Sequence, residues 1–122
     1  MSREIKRATR VSGRIREELS LLVRGLRDPR VEGVIVSRVE VTDDLSFVRA
    51  FVRRDLGANE HEQKQLVRAL DNAVGKLRGE LTRAVGLRSA PGLRFQYDDG
   101  IDAQNRVEEL LREIKSEGGQ GS

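Results

Sequence analysis

The chain has 122 residues, a formal net charge of +3 and an apolar fraction of 37%, which fits a single domain with a small core. It has no cysteine and one histidine, His61, so disulfides, thiolate metal sites and multi-histidine metal sites are excluded. No apolar run of a secretory signal follows the N-terminus, and no stretch reaches the roughly 18 apolar residues of a membrane span, so we expect a cytoplasmic protein with no membrane partner.

Positive charge is concentrated at one end of the chain. Residues 1–30 hold nine basic residues against four acids, a balance of +5, whereas residues 98–122 hold three basic residues against seven acids, a balance of −4. Such an asymmetry on a short chain predicts one face that meets a polyanion.

A long first helix is predicted over residues 4 to about 26, because apolar residues recur there at three- and four-residue spacings. This apolar stripe comprises Ile5, Ala8, Ser12, Ile15, Leu19, Leu22 and Leu26. On the opposite side, within roughly 60° of one another around the helix axis, lie Arg3, Arg7, Arg10 and Arg14. Arginines without acidic residues on the same stripe suit phosphate groups, although a merely solvated face explains them equally well.

Two strands of a hairpin are predicted next. Asp28-Pro29 is expected to end the helix, since proline disfavours helical geometry in the residue before it. Residues 34–41 and 46–54 alternate as strands do, with turn-forming residues at 42–45 between them. One face of the first strand is expected to hold Ile35, Ser37, Val39 and Val41. One side of the second strand holds Phe47, Arg49, Phe51 and Arg53. This alternation suits either phenylalanines packed beneath arginine stems or a face that stacks bases.

A pair of helices is predicted between the second and third strands. The first runs from about residue 60 to 73, with Asn59 as its N-cap. The helical pattern is then interrupted at Ala73, Val74 and Gly75, since a glycine inside a helix costs about 1 kcal/mol relative to alanine. The second helix runs from about residue 76 to 86 and ends at Gly86. It points three residues outward: Lys76, Gly79 and Arg83.

The predicted fold is α+β, in the order α, β, β, α, α, β followed by a C-terminal helix. Residues 93–97 form the third strand and residues 103–115 the last helix. The helix pair makes a crossover between strands, and the economical packing is a three-stranded sheet with helices on one face. We expect residues 1–115 to form a single domain and residues 116–122 to be a flexible tail.

Residue types that support catalysis are sparse. His61 lies in the polar run NEHEQ, which is typical of an exposed surface. Asp98, Asp99 and Asp102 lack the spacing and the terminal glutamate of a calcium-binding loop. Neither a Walker A nor a GxGxxG sequence is present. We therefore expect no catalytic residues, no metal, no cofactor and no small-molecule substrate.

The interrupted helix pair instead suggests RNA. KH modules clamp a nucleic-acid backbone with a GXXG turn between two helices, and Ala73, Val74 and Gly75 stand at the matching place. A glycine there permits a kink and a close approach of phosphate, and Lys76 and Arg83 supply charge. The pattern predicts a KH-like topology more strongly than it predicts any particular RNA.

Three segments closely resemble the ribosome-binding factor A family. They are DPR at 28–30, VSRVEVTDDLSFVRAFV at 36–52 and ALDNAVGKLRGELTRAVGLRSAPGLRFQYDDG at 69–100. The resemblance implies a type II KH-like fold in which an Ala-x-Gly kink, here Ala73 to Gly75, replaces GXXG. It further implies a non-catalytic bacterial assembly factor that binds the free small (30S) ribosomal subunit, assists its late maturation and the processing of the 5′ end of 16S rRNA, and supports growth in the cold.

On this reading the partners are the small subunit and 16S rRNA, and the protein is expected to act as a monomer. The residues expected to contact RNA are Arg3, Arg7, Arg10, Arg14, Gly75, Lys76, Arg83 and Arg88. One alternative is a free-standing KH-type protein that binds single-stranded RNA. Another is a protein adaptor that uses the acidic C-terminal helix through Glu108, Glu109 and Glu113.

Overall fold

Three helices, three strands and one turn of 3-10 helix make up the part of the chain described by the computed structural model. It describes the backbone of residues 3–100 and Leu111, and the side chains of residues 8–100 and Leu111. In chain order the elements are α1 (Arg3–Arg24), a 3-10 helix (Pro29–Val31), β1 (Val34–Val41), β2 (Phe47–Arg54), α2 (Glu60–Asn72), α3 (Val74–Val85) and β3 (Gly92–Tyr97). The predicted helix at 103–115, apart from Leu111, and the predicted tail at 116–122 lie outside the described residues.

The end of α1 differs from the prediction. The helix ends at Arg24, and the Gly25 N–H bonds to the carbonyls of Leu21 and Leu22. Proline is therefore not what stops it. Asp28 instead caps the unpredicted 3-10 helix, since its carboxylate accepts a 2.9 Å hydrogen bond from the Arg30 N–H while Pro29 occupies the first turn.

The sheet has the order β1-β2-β3. β1 and β2 form an antiparallel hairpin, whereas β3 lies parallel to β2. Parallel neighbours require a long crossover, which α2 and α3 provide. The observed α+β architecture with a three-stranded sheet agrees with the prediction.

A β-bulge at Ser37 breaks the alternation of β1. Val36 pairs with Val52, and the next paired residue, Arg38, faces Phe51, so Ser37 is the extra residue. An extra residue moves every later side chain to the opposite face. The core face of β1 therefore carries Val34, Val36, Val39 and Val41. The prediction that Ile35 and Ser37 share a face with Val39 is wrong for this reason.

One hydrophobic cluster joins all of these elements. α1 contributes Ile15 and Leu19, and β2 contributes Val48 from the centre of the sheet. The other helices and β3 complete the cluster with Leu66, Leu70, Leu77, Leu81, Leu93 and Phe95. Full burial of each such side chain stabilises the fold by about 1.5–3 kcal/mol. The three described helices therefore cover one face of the sheet, and their outer surfaces point away from it. None of the described helices is both long and apolar enough to span a membrane.

Local signals fix both ends of the helix pair. At the start of α2, Asn59 Oδ1 accepts a 2.8 Å hydrogen bond from the Glu62 N–H, and the Glu62 carboxylate accepts one of 3.1 Å from the Asn59 N–H. This reciprocal pair is a capping box. At the end of α3, Gly86 adopts the left-handed conformation with φ +79°. The predicted cap and the predicted terminator are both confirmed.

Candidate nucleic-acid interface

The break between α2 and α3 lies at Ala73. This residue has φ −96° and ψ 2°, and it is both the C-cap of α2 and the N-cap of α3. α3 has already begun at Val74, so Gly75 lies in its first turn. Gly75 has no positive φ, and a Cβ added there would meet no atom within 4 Å. The prediction that the kink depends on Gly75 is therefore corrected: the backbone bends one step earlier, at a residue that carries a side chain.

The N-terminus of α3 has properties that suit an anion. Ala73 has no side chain that can cap the helix, and the first turn holds no acidic residue. The first N–H groups of a helix lack partners within it and carry partial positive charge. Gly75 is exposed and leaves this turn open. A phosphate can therefore approach the backbone here.

The outward face of α3 carries two basic side chains separated by a glycine. Lys76 and Arg83 are exposed, and two turns of helix place them about 10 Å apart along the axis. The Arg83 guanidinium lies back along the helix, because a Cβ added at Gly79 would be 3.5 Å from its Nη1. Lys76 reaches Glu80 at 3.9 Å across a partly exposed pair, which holds it only weakly.

Arg14 joins α1 to α3. Its Nη2 donates a 3.1 Å hydrogen bond to the carbonyl of Ala84 in the last turn of α3. The last carbonyls of a helix lack intrahelical partners, and a cation beside them is favoured by the helix dipole. This bond brings the arginine stripe of α1 beside the C-terminal half of α3. It also means that part of the role of Arg14 is structural.

The remaining predicted residues fall into two groups. Arg10 and Arg88 are exposed. The structure gives neither of them a hydrogen bond or ion pair within the described part of the chain. The side chains of Arg3 and Arg7 lie outside the described residues. We call the set formed by Arg10, Arg14, Lys76, Arg83 and Arg88 the α1–α3 basic surface.

Comparison with known proteins decides the family. A sequence model described as ribosome-binding factor A matches residues 7–111. The chain belongs to the ribosome-binding factor A family. A ribosome-binding factor A from Sorangium cellulosum is 54% identical over 116 residues, which cover 94% of each chain.

Solved structures of ribosome-binding factor A share the fold. The crystal structure of the Thermus thermophilus protein superposes with a TM-score of 0.66 at 26% identity, covering 74% of this chain and 93% of that one. Thermus thermophilus coordinates fitted into a cryo-EM map of a 30S–RbfA complex superpose with a TM-score of 0.61 at 26% identity, covering 73% of this chain and 92% of the other.

Several residues of the segments that resemble ribosome-binding factor A hold the fold together. The Arg30 guanidinium binds the Asp28 carboxylate at 2.7 Å, and this side-chain hydrogen bond holds the pKa of Asp28 below its usual value. Arg78 donates to the carbonyl of Pro91 at 2.7 Å and so anchors the loop after α3. The local sequence pattern holds no signal for this anchor, because the partner of Arg78 lies in a separate loop.

The alternating Phe and Arg residues of β2 lie on the outer face of the sheet, opposite the helices. The two phenylalanines differ in their surroundings: one is packed beneath an arginine, and the other is partly exposed. Phe51 is only 5% exposed, and the Arg38 guanidinium lies 3.7 Å from its ring centroid, so packing beneath an arginine is confirmed there. Phe47 is 37% exposed.

Beside Phe51, the buried Asp98 accepts a hydrogen bond from Ser37, which lowers the pKa of Asp98. The described residues contain no group of three potential metal ligands.

Proposed function

We propose that this chain is a non-catalytic assembly factor that binds the small (30S) ribosomal subunit through the α1–α3 basic surface. Its task would be to assist late maturation of the subunit, including processing of the 5′ end of 16S rRNA. The observation that carries the proposal is the Arg14–Ala84 hydrogen bond of 3.1 Å, because it unites the arginine stripe with the interrupted helix pair. Membership of the family supports it, as does the relative fitted into a 30S complex.

We assign the domain to the type II KH-like class. The support is the order α, β, β, α, α, β and the position of Ala73, Val74 and Gly75 at the joint between two helices, where KH domains carry GXXG. In this domain the open first turn of α3 would receive one phosphate. Lys76 and Arg83 would bind the neighbouring phosphates of the same RNA strand.

In the proposed mechanism, the basic side chains position the protein on the rRNA. Arginine guanidinium groups donate to phosphate oxygens in a fixed fork, and contacts of this kind set register and orientation without reading sequence. The folded shape of the immature rRNA would supply specificity. Such contacts bind phosphate without forming or breaking a covalent bond. Binding without chemistry is what an assembly factor requires.

The proposed small-subunit partner implies where the protein acts and when it matters most. We propose that the protein acts as a monomer in the bacterial cytoplasm, where small subunits mature. RNA base pairing is stronger at low temperature, so misfolded rRNA intermediates persist longer in the cold. A factor that binds and holds the correct intermediate would therefore matter most for growth in the cold.

Co-sedimentation with isolated small subunits tests the proposal. Wild-type binding should fall steeply between about 50 and 200 mM salt, because each phosphate contact releases counterions. Arg10→Glu should abolish binding. Arg27→Glu is the matched control, since Arg27 is also an exposed arginine but lies beyond the end of α1. Binding that ignores salt, or equal effects of the two variants, would contradict the proposal. Sequence-dependent binding to short RNA oligonucleotides alone would favour the free-standing RNA-binding alternative.

A further inference from the structure

The outer face of the sheet carries more positive than negative charge. Its charged side chains are Arg38, Arg49, Arg53, Arg94, Glu40 and Asp98. At one end, Arg38 is committed to Phe51 and lies 3.8 Å from the carboxylate of Asp98. The charge of Arg53 also acts on Asp98. Arg38 is therefore held in place at that end of the sheet, and Arg53 is only partly exposed. The other end needs a separate explanation.

At the other end of the sheet, two arginines lie opposite each other without a hydrogen bond or ion pair to the described residues. Arg49 of β2 is the register partner of Arg94 of β3, and neighbouring strands lie about 4.8 Å apart. Both side chains are exposed. Neither has a hydrogen bond or an ion pair to any residue described in the structure. Glu40 is the partner of Arg49 on the other side, yet no ion pair within 4 Å joins them. Like charges placed directly opposite each other destabilise a sheet, so this arrangement opposes folding.

An aromatic ring adjoins this pair. Phe47 precedes Arg49 by two residues on the same face and is the register partner of Gly92. A Cβ added at Gly92 would be 2.7 Å from the Phe47 ring, so the ring lies over the glycine backbone. The ring is 37% exposed. An exposed ring beside guanidinium groups is the combination that binds single-stranded nucleic acid, through base stacking and phosphate contact.

We propose that Phe47, Arg49 and Arg94 form a second RNA contact, which receives an unpaired segment of rRNA. A base would stack on Phe47 while the two guanidinium groups bind adjacent phosphates. The two arginines are complementary in charge to an RNA backbone, and the exposed ring adds a platform for a base. The α1–α3 basic surface lies on the helical side of the sheet, so the domain would touch two rRNA segments at once. This inference rests on the proposed function and extends it to the opposite side of the molecule.

The decisive variant is the double substitution Arg49→Gln and Arg94→Gln in the full chain. Binding to isolated small subunits should weaken about tenfold, and the slope of log affinity against log salt should fall by about 1.5–2. Stability in urea should stay unchanged or rise, because repulsion between the arginines is removed. A residue pair with a merely structural role would instead lose stability. The matched control is Arg24→Gln with Arg27→Gln, which removes the same charge at exposed positions near the end of α1.

Phe47 is tested separately. Phe47→Leu should weaken binding, because stacking needs an aromatic ring, and it should change the salt slope little, because stacking involves no charge. Phe47→Tyr keeps a ring and should bind as the wild type does. Equal binding by Phe47→Leu and wild type would exclude the stacking platform.

The outcomes separate the two proposals. If the sheet double variant matches its control while Arg10→Glu still abolishes binding, the second contact is overturned and the proposed function stands. If the Arg49/Arg94 double variant binds more weakly but keeps the wild-type salt slope, the face meets a ribosomal protein, and the RNA assignment is wrong. If the wild type fails to bind small subunits at all, both proposals fail.

Discussion

The Oγ of Ser37 donates a 2.6 Å hydrogen bond to Oδ2 of Asp98, although 61 residues separate them in the chain. Ser37 is the bulged residue of β1, and Asp98 directly follows β3, so the bond links the two outer strands of the sheet. The same hydroxyl lies 3.2 Å from the carbonyl of Phe51 on the central strand. One short side chain therefore ties the hairpin to the end of β3, which gives the bulge a structural purpose.

Removing this hydroxyl should destabilise the fold. Ser37→Ala is expected to lower the free energy of unfolding by about 1.5–3 kcal/mol, the range for a hydrogen bond to a charged group. Asp98 is buried and would lose its shortest partner. Urea denaturation of wild type and variant measures the difference. Ser12→Ala is the control, since Ser12 bonds only within its own helix; an equal effect at both positions would contradict the assigned role.

The same contact predicts a dependence on pH. The hydrogen bond from Ser37 lowers the pKa of Asp98 in the folded state, and burial opposes this only in part. The unfolded chain, with an aspartate pKa of about 3.9, therefore binds a proton more readily. The resulting stabilisation is complete above that pKa and is lost as pH falls through the lower folded-state pKa. Asp98→Asn should be less stable than wild type at pH 7.

Urea denaturation at several pH values between neutral and about 3 measures this dependence. The gap between Asp98→Asn and wild type should narrow as pH falls below about 4. The pKa values of Asp28 and Asp44 are also lowered by hydrogen bonds, but both proteins carry those residues, so their contribution cancels in the difference. A gap that stays constant with pH would show that the Asp98 carboxylate does not titrate as described.

Gly75 in the first turn of α3 and Gly86 just after its end should respond in opposite ways to the same substitution. Gly75→Ala should raise stability by up to about 1 kcal/mol, because alanine is the better helix former and a Cβ there meets no atom within 4 Å. Gly86→Ala should cost about 1 kcal/mol, because φ +79° is unfavourable for a residue with a Cβ. Thermal unfolding of both variants tests the pair.

Binding adds a second readout at Gly75. If the open first turn of α3 receives a phosphate, Gly75→Ala should weaken small-subunit binding although the protein is as stable as wild type or more so. Normal binding by a stable variant would move the contact elsewhere on the α1–α3 basic surface.

Arg10 and Arg14 should separate binding from stability. Both Arg10→Gln and Arg14→Gln should weaken binding to small subunits. Only Arg14→Gln should lower stability, by about 0.3–1 kcal/mol, because only Arg14 bonds to the C-terminal turn of α3. Arg10→Gln should stay within about 0.5 kcal/mol of wild type. A variant of Arg14 that loses stability but binds normally would limit that residue to a structural role.

Local chemistry made much of the fold predictable. The period of the apolar residues gave the helices and strands, and the bounds of β1 agree with prediction because turn residues flank an alternating run. Asn59 and Gly86 were identifiable because each acts on a backbone within a few residues of itself. The end of α1 at Arg24 was less predictable, since the strong proline signal at Pro29 belongs to the next, much shorter helix.

Residue order and helical period were enough to predict the family, the basic end of the chain and the outward-facing residues of α3. The bulge at Ser37, the contact of Arg14 with Ala84 and the break at Ala73 became visible in the folded chain alone. It alone placed Arg49 opposite Arg94, residues that stand on strands separated by two helices. Strand register and side-chain reach arise from packing between distant segments, and local propensity holds no information about either.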